Sequence, residues 1–480
     1  MPSLKKNFIY DVLNNVTGLL FPLITFPYVS RILNPQGIGE VAFAQSIIAY
    51  FVMFAALGIP TYALREVAKY RNNKEKLSRF TLEIFIIHAT LSIITYIAAL
   101  SLYFVGKVHE IWIIYLISSS SIILNFLGFS WFFQGVEEFR FITIRVLIFR
   151  VLSLAALFTF VHTSSDIYWY IGILIFSEVG NNVCNIFKLR NYISFKGIRF
   201  DELHFKRHFR PIINLFLLSV STLIYFNLDN LMIGFIKDDV AVGYYNPALR
   251  IQRMLMGLVL SLGTVLFPRL SNLADNDRQQ FLNLGRQGFN ATLGLSLPIL
   301  FGVFALGQPL ILLFAGAKFE PSILTLYLLA PVIVMGTCSN LIAKMLISQN
   351  KEKVVLIATS AGAIVNLALN ALFITLFSQF GAAAASSISE LAVLLTMIIV
   401  GYKLLPRPLF TVDALKYLAA AIVMWISISC VNPILHLPDY AKCIVGFIIG
   451  VSSYFIMLLL LKERFVTRNI LKLCQRHRKA

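Results

Sequence analysis

The sequence predicts an all-α polytopic membrane protein with about fourteen transmembrane helices, in two six-helix bundles followed by two further helices. Three observations indicate this class. The 480 residues are 58% hydrophobic and 13% charged, a composition that a water-soluble fold could not display without aggregating. About fourteen apolar stretches are each long enough to cross a bilayer. They run unbroken and do not alternate every second residue, which favours helices over a β-barrel.

The predicted spans follow one another with short polar connections. The first six are Asp11–Ile32, Glu40–Tyr62, Phe80–Val105, Ile111–Phe133, Phe141–Val161 and Ile167–Phe187. The next six are Pro211–Ile236, Tyr244–Pro268, Phe289–Phe314, Pro321–Ile347, Lys353–Phe377 and Gly381–Lys403. The last two are Ala414–Val431 and Ala441–Leu461.

Positive charge is concentrated in alternate connections. The odd-numbered connections carry little of it, whereas the segments Arg65–Arg79 and Lys188–Arg210 and the tail after Leu461 are rich in Lys and Arg. Cytoplasmic loops of membrane proteins hold this excess, so the pattern predicts that both termini are cytoplasmic. The net charge of +18 is therefore explained by membrane orientation and gives no reason to expect nucleic acid as a partner.

Short motifs recur at a nearly constant offset in the two halves of the chain. The pairs are Gly39 with Gly243, Phe133-Gln134-Gly135 with Ser348-Gln349-Asn350, and Ser177-Glu178 with Ser389-Glu390. An even number of helices per repeat gives two parallel bundles, between which transporters place their substrate. We predict an N-terminal bundle over 1–190, a basic cytoplasmic linker over 191–210, a C-terminal bundle over 211–403, and two extra helices with a basic cytoplasmic tail over 404–480.

The sequence offers little support for an enzyme. No segment outside the spans is as long as a folded domain. The chain contains neither a phosphate-binding G-x-x-x-x-G-K-[ST] loop nor an H-E-x-x-H motif, and its five Cys show no metal-ligand spacing. We therefore expect a transporter with no cofactor and no metal.

Several charged residues lie within the predicted spans, where each costs roughly 2.5–3.5 kcal/mol if it faces lipid. They are Glu83, Arg150, Glu178, Asp229, Arg250, Arg253 and Glu390, with Arg31 and Lys344 nearer the ends of their spans. This cost predicts that they face an aqueous cavity or one another.

Spans seven and eight place a cationic surface deep in the membrane. Asp229 and Arg250 lie about 10 Å from the same end of a helical hairpin, where they form either a functional ion pair or one that only locks the hairpin. Asn246, Arg250 and Arg253 share one helix face by their spacing. With Arg150 on the other bundle, they suit an anionic ligand such as a pyrophosphate, which Arg grips with paired hydrogen bonds.

Glu178 and Glu390 lie at matched positions of the repeat. Two interpretations remain open for them. In the first, both carboxylates couple transport to protons or sodium, a role for which Asp229 is a further candidate. In the second, each carboxylate is the partner of a nearby Arg side chain.

Five segments carry recognisable motifs: Phe26–Leu33, Gly37–Ser46, Gly58–Glu66, Trp131–Gly135 and Gly243–Tyr245. In these segments the chain resembles the polysaccharide-unit exporters of the Wzx type. This family belongs to a superfamily of exporters, which includes multidrug extruders and peptidoglycan-precursor flippases.

The resemblance implies a flippase in the bacterial inner membrane that works by alternating access between two bundles. It implies an undecaprenyl-pyrophosphate-linked oligosaccharide as substrate, destined for O-antigen (lipopolysaccharide) or a related glycan, with membrane lipids, a glycan polymerase and a chain-length regulator as further partners. In such an exporter, Arg150, Arg250, Arg253, Asn246 and Arg31 would contact the substrate. Arg65 would line the cytoplasmic mouth. If the exporter is an antiporter, Glu178, Glu390 and Asp229 would couple transport to the movement of an ion.

Three alternatives stay open. A multidrug or cation extruder shares the fold, although an acidic lumen would serve it better. A peptidoglycan-precursor flippase also has two extra helices and a cationic cleft. A membrane glycan polymerase or ligase is the alternative from another class, and it would typically carry a large periplasmic loop, which this chain lacks.

Overall fold

The computed structural model of the chain describes residues 4–194, 198–434 and 437–463. These residues are almost entirely helical and include no strand, which confirms the all-α class. Two predicted basic features fall partly outside this range: Lys196 of the linker, and the tail from Arg464 onward.

By compactness the chain divides into two units, Met1–Gly243 and Tyr244–Ala480. The predicted boundaries at residues 190, 210 and 403 describe a repeat of six helices. A division by compactness does not test that repeat, which stays a prediction.

The first unit is built from ten helices and the start of an eleventh, within the residues described. They are α1 (Leu4–Ala56), α2 (Ile59–Tyr70), α3 (Lys74–Leu100), α4 (Gly106–Glu110), α5 (Trp112–Phe126), α6 (Ser130–Gly135), α7 (Phe139–Phe160), α8 (Ile167–Glu178), α9 (Val183–Leu189), α10 (Lys206–Ile236) and α11 (Asp239–Asn276). Helix α1 packs against α3, α5, α7 and α10 and so forms the centre of this unit.

The second unit contains the rest of α11 and six further helices. They are α12 (Arg278–Ala315), α13 (Ser322–Ile347), α14 (Glu352–Phe377), α15 (Gln379–Val400), α16 (Val412–Ile434) and α17 (Asp439–Leu460). Helix α15 packs on α13 and α14, whereas α12 packs on α13, α16 and α17. The two C-terminal helices are thus held to the unit through α12.

Eleven stretches of the described residues are long and apolar enough to span a membrane, so the predicted count of fourteen is not confirmed. The chain is nevertheless a multi-pass membrane protein. Its outer surface is apolar, with side chains such as Val265 and Ile399 being 77% and 71% exposed. In water such a surface would be unfavourable, whereas in a bilayer it meets lipid chains.

The first two predicted spans are joined by a kink instead of a loop. Helical conformation continues from Leu4 to Ala56 and is broken only at Asn34, whose φ is 61°. Asn tolerates the left-handed region better than most residues, and Pro35 follows it with a fixed φ. The polar connection predicted after span one is therefore a sharp bend within α1.

The sixth predicted span is interrupted, contrary to the expectation of one helix over Ile167–Phe187. Helix α8 ends at Glu178, a 3₁₀ turn covers Gly180–Asn182, and α9 follows. The Asn182 and Asn185 side-chain amides donate to the carbonyl oxygens of Leu124 and Leu127, at 3.3 and 2.8 Å. The Asn181 amide donates to the carbonyl oxygens of Ser177 and Glu178, at 3.4 and 2.9 Å. Asn side chains that bond to neighbouring backbone groups compete with helix formation, which accounts for the break.

Candidate functional site

Arg150 connects α7 to the beginning of α1. Its guanidinium Nη1 donates to the carbonyl oxygen of Asn14 at 3.1 Å and to the Thr17 hydroxyl at 2.5 Å, and the side chain is half-buried. A guanidinium nitrogen lies 3.4 Å from the point where a Cβ atom of Gly18 would be. Arg150 thus packs closely on α1, and its predicted contact with substrate stays a prediction.

The other predicted residues of the first unit lie in different environments. Arg31 is exposed on α1 and donates to the carbonyl oxygen of Pro27, while Arg65 is exposed on α2. Asp229 is buried on α10, at 9% exposure. Its predicted ion pair with Arg250 stays a prediction.

The three polar residues predicted to share a face of span eight all lie on the continuous helix α11. Asn246 is buried, Arg250 is partly buried and Arg253 is exposed. The accessibility of these three side chains therefore increases from Asn246 to Arg253. Of the three, Arg253 is the one most open to a ligand.

The two predicted coupling carboxylates differ in burial. Glu178 is exposed at the last residue of α8, where its carbonyl oxygen accepts from Asn181 Nδ2 at 2.9 Å. Glu390 is buried on α15, and its carboxyl carbon lies 3.5 Å from where a Cβ of Gly336 on α13 would be. Coupling through either residue stays a prediction. No group of three or more His, Cys, Asp or Glu side chains in the described part of the chain is placed to hold a metal ion.

A fully buried carboxylate, Glu83, is the centre of a polar cluster that sequence analysis did not find. Glu83 Oε2 accepts from Arg207 Nη2 at 2.5 Å and lies 2.8 Å from His208 Nε2, and Oε1 accepts from the backbone N–H of His204 at 2.7 Å. The Tyr62 hydroxyl lies 2.8 Å from His208 Nδ1. The cluster joins α2 and α3 to the start of α10.

Further contacts fasten the linker to the first unit. Arg79 of α3 pairs with Glu202 at 2.5 Å, and the Ser78 hydroxyl accepts from the backbone N–H of Ser194 at 3.0 Å. Tyr192 donates to Glu138 at 2.6 Å, and burial together with this hydrogen bond raises the pKa of the Tyr192 phenol. The linker segments that the structure describes are therefore held in place against α3 and α7.

Gly39 and Gly243, the first pair of the predicted repeat, lie at a close crossing of two backbones. A Cβ atom at Gly39 would be 1.6 Å from the carbonyl oxygen of Asp239. One at Gly243 would be 1.8 Å from the carbonyl oxygen of Pro35. Each glycine contacts the residue four positions before the other, so the crossing is reciprocal. No side chain fits at either position without separation of the backbones.

The second unit contains a cavity of about 1770 Å³ between α11, α12, α16 and α17. Over most of its length the wall is apolar. This part is lined by Leu258, Leu262, Val303, Leu306, Ile428 and Phe447, among others.

Polar residues gather at one end of this cavity. The start of α12 and the segment before α16 meet there, because Arg286 Nη2 donates to the carbonyl oxygen of Arg407 at 2.5 Å and Thr411 donates to Asn290 Oδ1 at 3.0 Å. The end of α17 joins them through the Tyr417 hydroxyl, which donates to Glu463 at 2.9 Å. The cavity therefore combines a long apolar body with one polar end.

Two protein families and several known proteins are similar to this chain. The family described as "Polysaccharide biosynthesis protein" matches residues 4–274, and the family "MatE" matches residues 215–372. Two proteins named "Putative O-antigen transporter" are similar. The one from Escherichia coli K12 is 27% identical over 84% of this chain and 98% of its own length, and the one from Shigella dysenteriae is 25% identical over 82% and 99%.

Among solved structures, the inward closed conformation of the lipid II flippase MurJ superposes with a TM-score of 0.74. The match covers 95% of this chain and 98% of that one at 18% identity, so it concerns the fold. The all-α, multi-pass membrane fold expected from the sequence is thereby confirmed. The family match covers more than half of the chain and agrees with the motifs around Phe26–Leu33 and Gly37–Ser46. This chain belongs to the polysaccharide biosynthesis protein family.

Proposed function

We propose that this protein transfers a lipid-linked oligosaccharide, the repeat unit of a surface polysaccharide, across the bacterial inner membrane by alternating access. The cavity of the second unit is the observation that carries the proposal. Its volume of about 1770 Å³ exceeds the roughly 300–1,000 Å³ of ordinary small-molecule pockets. Its apolar body suits a polyprenyl chain, and its polar end suits the phosphate and sugar of the headgroup.

The orientation of the cavity agrees with this substrate. Its polar end is lined by Arg286, by Glu463 and by Lys416, which pairs with Asp413 at 3.1 Å. By the distribution of Lys and Arg, this end faces the cytoplasm, with both chain termini on the same side. Lipid-linked repeat units are assembled on that face, so the headgroup would enter there.

The relatives support the kind of substrate. Two of them are named O-antigen transporters, and they match over most of their own length. We infer undecaprenyl pyrophosphate as the lipid carrier and O-antigen or a related glycan as the product. A glycan polymerase and a chain-length regulator would act on the transported unit, while this chain itself would catalyse no covalent step.

Within this mechanism the predicted charges keep their proposed roles. Arg253, with Asn246 and Arg250 on the same helix, would bind the anionic headgroup, and Arg150 and Arg31 would assist from the first unit. Arg65 would line the cytoplasmic mouth. The carboxylates Glu178, Asp229 and Glu390 would couple transport to an ion.

The alternatives fit the structure less well. A cation extruder would favour an excess of acidic side chains at the cavity end, whereas Asp413 and Glu463 are balanced there by Arg286 and Lys416. A polymerase would need a folded periplasmic segment, and the connections that the structure describes are short. A peptidoglycan-precursor flippase has the same fold and also carries an amphipathic substrate. The two functions are distinguished by which glycan is lost when the gene is deleted.

The test is a deletion strain in which surface glycan and the leaflet location of the lipid-linked repeat unit are both measured. We expect surface glycan to be lost and the repeat unit to accumulate on the cytoplasmic leaflet, with both restored by the gene. A unit that reaches the periplasmic leaflet and stays unpolymerised would instead indicate a polymerase. Loss of peptidoglycan synthesis would indicate the precursor flippase.

Filling the cavity should block transport. A Cβ atom at Gly302 would meet only Met424 Cε, at 3.9 Å, so a larger side chain there extends into the cavity without a backbone clash. We expect Gly302→Leu to reduce export about tenfold at equal membrane abundance, equivalent to about 1.4 kcal/mol. Gly172→Leu, at a position where a Cβ meets nothing within 4 Å, is the matched control. Equal export by both variants would contradict a role of the cavity.

Removing Arg253 from α11 should weaken export without affecting insertion. Charge-assisted hydrogen bonds contribute about 1.5–3 kcal/mol each, so Arg253→Ala should lower export about tenfold or more. Arg269→Ala, which removes another exposed Arg from the same helix, should leave export unchanged. Unchanged export by the Arg253→Ala protein at matched abundance would exclude Arg253 from substrate binding.

A further inference from the structure

Arg145 is a buried cation that the proposed transport route does not use. It lies on α7 with 5% exposure, and its Nη2 donates to the Ser130 hydroxyl at 3.2 Å. Its Nε and Nη1 are buried and meet no acceptor among the described residues. Two of its three guanidinium nitrogens therefore lack an acceptor within the described part of the chain.

Lys188 lies against the same aromatic ring as Arg145. The Arg145 guanidinium carbon is 5.4 Å from the centre of the Phe141 ring, and Lys188 Nζ is 5.7 Å from the same centre. No carboxylate of the described residues forms an ion pair with either cation. Trp131, next to Ser130, is also buried, and its indole N–H has no acceptor in the same part of the chain.

These cations and donors together would bind an anion. A guanidinium taken out of water is unfavourable unless an opposite charge and hydrogen-bond acceptors replace its hydration. The planar guanidinium matches the oxygens of a phosphate, which accept from two of its N–H groups at once. The Ser130 hydroxyl, which accepts from Arg145, keeps its own proton to donate. A phosphate could therefore bind several of these donors.

The depth of Arg145 indicates where the phosphate comes from. Arg145 lies six residues after the start of α7, about 9 Å along the helix axis. The same end of the unit carries Arg140, Lys188 and Arg190, and basic pockets between helices on the cytoplasmic side bind anionic lipid headgroups. We propose that Arg145, Lys188 and Ser130 bind the phosphate of an anionic phospholipid from the cytoplasmic leaflet, separately from the transported substrate.

The test uses the purified full chain in detergent with added phosphatidylglycerol or, for comparison, phosphatidylcholine. We expect phosphatidylglycerol to raise the melting temperature of the unmodified protein by roughly 5 °C over phosphatidylcholine. Arg145→Met should lose this difference, and in phosphatidylcholine it should melt at or above the unmodified protein, because an uncompensated charge has been removed. Native mass spectrometry should show retained phosphatidylglycerol on the unmodified protein and none on Arg145→Met.

Matched variants separate binding from general destabilisation. Arg140→Met removes an exposed Arg from the same helix and should keep the full response. Lys188→Met, at a partly buried position, should give a reduced response and tests the site even where Arg145→Met protein does not accumulate. If millimolar inorganic phosphate alone reproduces the Arg145-dependent rise, the site binds phosphate from a free source. An equal phosphatidylglycerol response with and without Arg145 would overturn the proposal.

Discussion

Replacing Glu83 with glutamine is expected to destabilise the first unit by about 3 kcal/mol, because it removes a fully buried charge that three donors share. Glutamine has only one carbonyl oxygen to accept from these donors, and its NH₂ group takes the place of the second oxygen and faces a donor. For a unit of this size the melting temperature should fall by roughly 5–10 °C. Thermal unfolding of the purified protein in detergent measures this change.

The position of the cluster makes the effect large. Glu83 is on α3, Tyr62 is on α2, and His208 and Arg207 are in the first turn of α10. Loss of the carboxylate therefore removes the polar contacts of α3 with the start of α10, and only the Tyr62–His208 hydrogen bond to α2 is kept. Arg207 is 46% exposed and can be hydrated, so the penalty falls mainly on His208 and on the His204 N–H.

Two controls test this interpretation. Glu75→Gln, on the same helix, removes an 81% exposed carboxylate 3.7 Å from Arg79, and should cost less than about 0.5 kcal/mol. In a double-mutant cycle, Glu83→Gln and His208→Gln should couple by about 1 kcal/mol or more. Strict additivity of the two substitutions would show that the contact between Glu83 and His208 contributes no stability.

Helix positions could be predicted where apolar runs are bounded by polar residues. The predicted span Pro321–Ile347 corresponds to α13, Ser322–Ile347, and Lys353–Phe377 corresponds to α14, Glu352–Phe377. Hydropathy over about twenty residues does not reveal a short interruption. The break after Glu178 was therefore missed, although Gly180-Asn181-Asn182 is a sequence of poor helix formers.

The candidate site was predicted less completely than the fold. The cost of charge in lipid singled out Glu83, but its partners are more than a hundred residues away in sequence. A single sequence gives no information on such pairings. Arg145 was not singled out, because an Arg near a helix end ordinarily extends to the lipid headgroups. Only the structure shows that its side chain is buried in the protein.

Replacing Gly243 with alanine is expected to reduce export strongly. The new Cβ would lie 1.8 Å from the carbonyl oxygen of Pro35, which is rigid backbone, so the two segments must separate by more than 1 Å. Overpacking of this kind costs about 1–3 kcal/mol. If the crossing closes and opens during the proposed transport cycle, that cost shifts the equilibrium towards the open form by about 5- to 150-fold.

Accessibility of Ile38, which is 3% exposed on the segment between Pro35 and Gly39, reports on this equilibrium. In a variant with its five cysteines replaced, Ile38→Cys should react faster with a membrane-impermeant maleimide when Gly243→Ala is present. Gly106→Ala is the control, because a Cβ there meets nothing within 4 Å, and it should change neither labelling nor export. Gly39→Ala should act as Gly243→Ala does, since the contact is reciprocal. Lost export with unchanged labelling would mean that the crossing is a fixed part of the fold and not a gate. A crossing that opens during transport would open more often when the new Cβ strains it, and Ile38→Cys would then react faster.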